Sequence, residues 1–227
     1  MIRQLNLDLP VRSATGREDF FVSPSNALAV AQIDRWRKWP HGKLALIGPE
    51  GSGKTHLSHI WAEETGARIV AARDLSGSQP RPGNVVVEDV PDIAGNGAGE
   101  RALFHLHNFV LAEGGMLLVT GDRPPALWPI RLPDLASRMR ATPTARLEPP
   151  DDALLQALLL KLFTDRQITV PPGLLPWLLK RMDRSFAEAA RIVAALDQRA
   201  LETGRPIGPK LAAEVLDETP VETDGID

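Results

Sequence analysis

Three short apolar runs punctuate the chain: Leu44-Ala45-Leu46-Ile47, Val85-Val86-Val87 and Met116-Leu117-Leu118-Val119. Unbroken runs of this length predict parallel strands covered on both faces. Residues 67–72 and 145–147 predict two more strands. Between the strands the apolar positions recur at helical spacing. Residues 27–39 predict a helix with Leu28, Ile33 and Trp36 as its buried stripe, capped by Ser25 or Asn26. Residues 56–65 predict a second helix, stopped by Gly66. Residues 100–113 predict a third, with Leu103, Leu106, Phe109 and Val110 on one side and Gly114-Gly115 as its break. Residues 132–141 predict a short fourth helix. Strands that alternate with helices predict an α/β fold with a parallel five-stranded sheet.

Beyond Pro149-Pro150 the strand signal disappears. Residues 151–166 predict a helix capped by Asp151. Residues 171–183 predict one opened by prolines, which suit a first turn, with a bend at Pro176. Residues 185–203 open on Ser185 with Glu188 three positions on, a capping box. Residues 209–218 predict the last helix. The expected organisation is a flexible arm at 1–17, an α/β core at 18–149, a small all-helical domain at 150–218 and a disordered tail at 219–227.

Within the arm, Leu5, Leu7 and Leu9 share one face of an extended chain, and Gln4 precedes them. Spacing alone leaves two readings open: an edge strand of the core, or a linear peptide for a partner's groove.

Composition narrows the classes. Of 227 residues, 43% are hydrophobic and 24% charged, as in an ordinary globular protein. No apolar run approaches the ~18 residues of a membrane span. Asn6 and Asp8 interrupt any signal-like apolar stretch at the start. The absence of Cys suits a reducing compartment, so a cytoplasmic location is expected. A net charge of −3 and no block of Lys and Arg argue against holding DNA by its phosphates.

The candidate chemistry begins where the first strand ends. Gly48-Pro49-Glu50-Gly51-Ser52-Gly53-Lys54-Thr55 matches G-x-x-x-x-G-K-[ST] between a strand and a helix. Glycines let such a loop turn its N–H groups inward around phosphate oxygens. The helix start at His56 adds partial positive charge. Lys54 can reach β- and γ-phosphates, and Thr55 can offer a hydroxyl to Mg²⁺. Glu88 and Asp89 end a buried strand about 30 residues later, where α/β sheets bind ligands. One acid can serve the Mg²⁺ shell and the next can orient water. Asp122 also falls at a strand's C-terminal end. His56 with His59, and His105 with His107, are not read as metal pairs: the first lacks a nearby carboxylate ligand pattern, and residues at i, i+2 on a helix do not face each other.

Four stretches together carry a resemblance. Phe21-Val22-x-Pro24-Ser25-Asn26 is similar to an adenine-side segment, and Gly48 to Thr55 is the phosphate loop. Gly121-Asp122-Arg123-Pro124-Pro125, followed by Leu132-Pro133-Asp134-Leu135-Ala136-Ser137-Arg138, is the most specific. The fourth is Gln4-Leu5-x-Leu7-x-Leu9. Over nearly its whole length the chain resembles the DnaA family of AAA+ proteins, and within it the Hda-type regulators.

The resemblance implies an αβα core with a helical lid, ADP or ATP with Mg²⁺ as cofactor, and DnaA and the sliding clamp as partners. It implies that Pro24 lies on the adenine side, that Asp122 is the first sensor, and that Arg138 is an arginine finger for a neighbour's nucleotide. Gln4, Leu5, Leu7 and Leu9 would be the clamp-binding peptide. Spacing alone offers another role for Arg138, a salt bridge with Asp134 one turn earlier. The chain ends with the lid, so no sequence-specific DNA-binding domain is expected; self-association is left open. The chain departs from the family's pattern at two places. Glu88 stands where Asp is usual, and Ala187 stands where the lid's second-sensor Arg is expected, flanked by Arg184 and Arg191. The implied activity is therefore stimulation of DnaA-bound ATP hydrolysis, with weak hydrolysis of its own. The alternatives are a self-contained ATPase that remodels or loads a protein, and an adaptor that needs no nucleotide.

Overall fold

The computed structural model describes residues 21–77 and 79–217. The candidate clamp-binding residues Gln4, Leu5, Leu7 and Leu9 and the tail at 219–227 lie outside the described residues.

Five strands form one parallel sheet: β1 (Lys43–Ile47), β2 (Arg68–Ala71), β3 (Val85–Glu88), β4 (Leu117–Gly121) and β5 (Thr144–Arg146). Their order is β2-β3-β4-β1-β5, which sets β1 between β4 and β5. Alternation along each strand splits the core in two. Ala45, Ile47, Val85, Val87, Leu117 and Val119 face one layer, packed on Leu103, Leu106 and Val110 of α3 (Gly97–Ala112) and Leu135 and Met139 of α4 (Pro133–Arg140). Leu44, Leu46, Val86, Leu118 and Ala145 face the other, packed on α1 (Ala27–Asp34) and α2 (Lys54–Thr65). Both faces are thus covered, which is why these strands read as unbroken apolar runs.

Helix α1 differs from its expectation. It stops at Asp34, and Trp36 falls in a separate 3₁₀ turn, half-buried. Leu28 is 72% exposed, while Ala29, Val30 and Ile33 face the core. Small Ala29 lets the helix approach closely, so bulk alone pointed to the wrong side. Asn26 occupies the N-cap position without capping. Its Oδ1 accepts from the Ser23 N–H and its Nδ2 donates to the Phe21 carbonyl. For α3 the cap is Asn96, whose Oδ1 accepts from the N–H groups of Ala98 and Gly99, so this helix starts earlier than its apolar stripe.

Helices α5 (Asp152–Asp165), α6 (Leu174–Leu179), α7 (Phe186–Thr203) and α8 (Pro209–Asp217) enclose a second apolar core around Leu159, Phe163, Leu178, Ile192 and Leu196. Asp151 caps α5 as expected, accepting from the Leu154 N–H at 2.8 Å. Helix α6 is shorter than expected, and Pro171 and Pro172 precede it. Pro176 is its third residue, where an N–H has no intrahelical acceptor, so the proline breaks no hydrogen bond of the helix. The capping box of α7 closes on one side only. Ser185 Oγ accepts from the Glu188 N–H at 3.0 Å, but the Glu188 carboxylate takes Arg191 at 2.7 and 2.8 Å. Among the described residues no helix is long and apolar enough to cross a membrane.

Candidate functional site

The chain leaves β1 at Ile47, turns through residues 48–53 and enters α2 at Lys54. Three positions need glycine. Gly51 and Gly53 have φ of 67° and 92°, a region that side chains rarely adopt. A Cβ on Gly48 would lie 2.7 Å from both the Leu147 carbonyl and Ser52 Oγ. Lys54 folds back over the loop and donates to the carbonyls of Gly48 (2.8 Å) and Pro49 (2.9 Å). Burial lowers its pKa, while the carboxylates of Asp89, Asp122 and Glu50 pull the other way. Ser52 Oγ is buried with no hydrogen-bond partner among the described residues. A glycine loop, an ammonium and the N-terminus of α2 are the donor set that suits a nucleotide's phosphates.

Adjacent strand ends bring in the acids. Asp89 follows β3 in a left-handed conformation (φ 54°, ψ 52°), and its N–H donates to Thr120 Oγ1 of β4 at 2.9 Å. For a non-glycine residue this costs of order 1–2 kcal/mol, and such strain clusters at functional sites. Asp122 follows β4 and accepts two bonds from Arg123, at 2.8 and 2.6 Å, which hold its carboxyl below the usual carboxylate range. Glu88 reaches back to α2, with Ser58 Oγ at 3.4 Å and His59 Nε2 at 3.7 Å.

These elements border a cleft of about 910 Å³. Of the residues expected there, Glu50, Gly51, Gly53, Lys54, Thr55, His56, Asp89 and Asp122 line it. Gly48, Pro49 and Ser52 belong to the same loop without lining the cleft. Glu88 and Pro24 do not line it either, and Pro24 is exposed. His59, Pro91, Asp92, Leu158, Leu162, Phe186 and Ala190 line it without having been expected. His59 had a readable signal, since it lies one helical turn beyond Thr55. Among the described residues no three His, Asp or Glu side chains form a metal cluster. Mg²⁺ at Thr55 would therefore draw its ligands from phosphate oxygens, water and one or two carboxylates.

The helical domain meets the loop directly. The Phe186 N–H donates to the Gly51 carbonyl at 2.9 Å. The Phe186 ring packs on Gly53, where an added Cβ would come within 3.1 Å of it. With Leu158, Leu162 and Ala190 it makes an apolar wall. Arg184 pairs with Asp152 at 2.8 Å and Arg191 with Glu188, and neither lines the cleft.

Arg138 lies apart from this cleft, in the last turn of α4. Its Nε donates to Asn108 Oδ1 of α3 at 2.9 Å, and its guanidinium carbon sits 4.7 Å from the centre of the Phe104 ring. Asp134 contributes its backbone carbonyl, 3.5 Å from Nη1, in place of the carboxylate that the spacing suggested. Below it, buried Lys43 donates to the Arg138 carbonyl at 2.9 Å and lies 3.3 Å from His107 Nε2. Burial pushes His107 down to about 4; the Asn108 side chain opposes this, and the Lys43 and Arg138 cations add to it.

No protein-family model matches the chain. Its fold is similar to that of domain III of the replication initiation protein DnaA of Thermotoga maritima. The TM-score is 0.79 at 20% identity, over 92% of this chain and 98% of that one. AMPPCP-bound DnaA from Aquifex aeolicus matches with a TM-score of 0.65 at 16% identity, over 82% of this chain and 65% of that chain. A replication initiator DnaA bound to AMPPCP and single-stranded DNA gives 0.64 at 16% identity, over 83% and 67%. The chain spans nearly all of the isolated domain and about two thirds of these longer initiators. The parallel sheet with its C-terminal helical part is a fold similar to that of DnaA domain III.

Proposed function

We propose that this protein is a DnaA-related regulator of replication initiation, of the Hda type. On this reading the arm, through Gln4, Leu5, Leu7 and Leu9, docks on the DNA-loaded sliding clamp, and Arg138 enters the ATP site of a neighbouring DnaA. Hydrolysis there leaves DnaA–ADP and prevents re-initiation in the cytoplasm. The observation that carries the reading is the state of Arg138. No carboxylate is paired with it among the described residues, and it lies outside its own chain's cleft. A guanidinium whose charge is not already neutralised can stabilise charge developing on a γ-phosphoryl group, worth roughly 10³–10⁵ in rate.

The chain's own cleft would bind ADP or ATP with Mg²⁺. Lys54 and the loop N–H groups would hold phosphates, and Thr55 and one acid would serve the metal. Asp89 would orient water and Asp122 would sense the phosphate end. A bound nucleotide would bring negative charge to the border of loop and lid. Among the described residues no lid cation lines the cleft, and Arg184 and Arg191 are both engaged elsewhere. Weak hydrolysis by the chain itself follows.

A second reading, a self-contained ATPase, is favoured by the strained Asp89 at the cleft. One comparison separates the two. ATP-loaded DnaA is mixed with clamp-loaded DNA, with and without this protein, and turnover of ATP by the protein alone is measured beside it. Stimulation only in the complete mixture supports regulation. Steady turnover by the protein alone, with no effect on DnaA–ATP, supports the ATPase.

A further inference from the structure

The turn between α1 and β1 runs against the charge of the rest of the chain. The protein carries a net charge of −3, yet Arg35-Trp36-Arg37-Lys38-Trp39-Pro40-His41 contains Arg35, Arg37 and Lys38 and no acid. All three of these cations are exposed. Trp36–Lys38 form a 3₁₀ turn, and the Lys38 N–H donates to the Arg35 carbonyl at 2.8 Å. Side chains three apart align in such a turn, which sets Arg35 and Lys38 on one face.

Two tryptophans fix the turn on the core. Trp39 is buried, stacks on Trp61 with ring centres 5.1 Å apart, and donates from Nε1 to the Gln32 carbonyl at 2.8 Å. Trp36 meets Trp61 edge-on at 6.5 Å. The Arg37 guanidinium carbon lies 4.1 Å from the centre of the Trp36 ring. A stacked guanidinium keeps its planar fork of N–H donors at its edge, where it can take a phosphate in two bonds. Two carboxylates border the patch: Asp34 precedes it, and Glu64 lies 3.5 Å from Trp36 Nε1. The cations outnumber them.

The patch precedes β1 and the phosphate loop follows it, so the two lie at opposite ends of that strand. A partner on the patch leaves the cleft open. Its surface offers little apolar area, since Trp39 is buried and Arg37 covers Trp36. A protein interface is built on an apolar centre depleted in charge, whereas a nucleic-acid interface is polar and positive.

We propose that Arg35, Arg37 and Lys38 form a docking surface for the phosphate backbone of duplex DNA. The contact is weak and without sequence preference, because three phosphate contacts on an acidic protein do not hold DNA tightly. It gains weight when the duplex is already held close, as on a DNA-loaded clamp, where docking becomes intramolecular. That consequence rests on the proposed regulation; the surface itself does not.

The first measurement is fluorescence anisotropy of a short labelled duplex with the full chain, between about 50 and 200 mM salt. Wild type should bind in the ~1–100 µM range at the low-salt end. Arg35→Gln, Arg37→Gln and Lys38→Gln together should weaken binding at least ~10-fold and reduce the salt slope by about 2–3. Arg73→Gln, Arg101→Gln and Arg205→Gln together change the net charge equally at other sites and should stay within about twofold of wild type. Arg35→Lys with Arg37→Lys keeps the charge and should stay within about threefold, which separates lost charge from a damaged turn. No binding by wild type, equal losses in the two triple variants, or a loss in the lysine variant as large as in the glutamine one each overturns the proposal. Tighter binding of a Glu-rich peptide than of the duplex overturns DNA as the occupant. The second measurement is stimulated hydrolysis of DnaA-bound ATP with clamp-loaded DNA. The glutamine variant should need several-fold more protein for half the effect, and unchanged stimulation overturns the part of the surface in regulation. Absence of stimulation by wild type overturns the proposed function and leaves the anisotropy to decide the surface.

Discussion

Two cations of this protein, Lys54 and Arg138, sit in opposite environments. Lys54 lines the cleft with Glu50, Asp89 and Asp122, and it is satisfied by the carbonyls of its own loop. Arg138 rests on an amide, an aromatic ring and a backbone carbonyl, and no acid neutralises it among the described residues. A cation set among acids is held for a ligand of its own chain. A cation set among neutral groups keeps its field for something that arrives from outside. The contrast extends to other arginines, since Arg123, Arg184 and Arg191 all pair with carboxylates.

The largest effect should come from changing the shape of the half-buried Arg138. Arg138→Lys keeps the charge but loses the planar fork and the Nε contact with Asn108. Stimulated hydrolysis of DnaA-bound ATP should fall at least ~10³-fold, while nucleotide affinity of the free protein stays within about twofold. Retained stimulation would show that charge alone suffices.

Next in size is the hub under α4. Buried Glu100 accepts from the N–H groups of Gly95 (2.7 Å), Arg131 (2.9 Å) and Leu132 (2.7 Å), so it fixes the chain that enters α4. Burial alone would raise its pKa, but the three backbone donors outweigh it and the net shift is downward. Glu100→Ala should destabilise the fold by about 3 kcal/mol in urea unfolding. A loss below about 1 kcal/mol would mean that water replaces the carboxylate and that α4 is anchored elsewhere.

Buried His107 should also leave a mark in acid. His107 is held near 4 when folded, against an ordinary value of 6.5. Its contribution is complete above 6.5 and is lost as pH falls toward 4, because the unfolded chain takes up the proton first. The loss should be of order 2–3 kcal/mol. The stability difference between pH 7 and pH 4.5 should shrink in His107→Leu; an identical slope in both proteins would place the acid sensitivity elsewhere.

The smallest effect concerns the other cation. Lys54→Ala should weaken ADP binding at least ~10-fold, about 1.4 kcal/mol. Calorimetry that finds equal affinity would show that loop N–H groups alone hold the phosphates.

What could be read from residue order follows the same division. The phosphate loop, β1, β3 and β4 were legible because each is a local pattern: glycines at fixed offsets, or apolar runs covered on both faces. Five parallel strands and a helical C-terminal part follow from those patterns and are what the fold contains. Contacts between distant segments were not legible. Phe186 meets Gly53 across more than 130 positions, and only the tertiary fold decides that a lid residue covers the loop. Asn108 gave no signal, as a polar residue on a helix flank ordinarily faces water. Its value comes from Arg138 arriving 30 positions later. The Arg138–Asp134 pair was the bland reading of an i, i+4 spacing, and it yielded to the amide and the ring on α3. Leu28 and the short α1 show the opposite failure, where a local pattern was over-read because small Ala29 packs better than a larger neighbour.

The central claim is that Arg138 acts on a neighbour's nucleotide and not on its own. The most direct measurement is Arg138→Ala in two assays on one preparation. Titration calorimetry with ADP reports the protein's own cleft, and single-turnover hydrolysis with DnaA–ATP and clamp-loaded DNA reports the neighbour's. The account predicts ADP affinity within about twofold of wild type and stimulation reduced at least ~10³-fold. Full stimulation, or a loss of ADP affinity equal to the loss of stimulation, would contradict it.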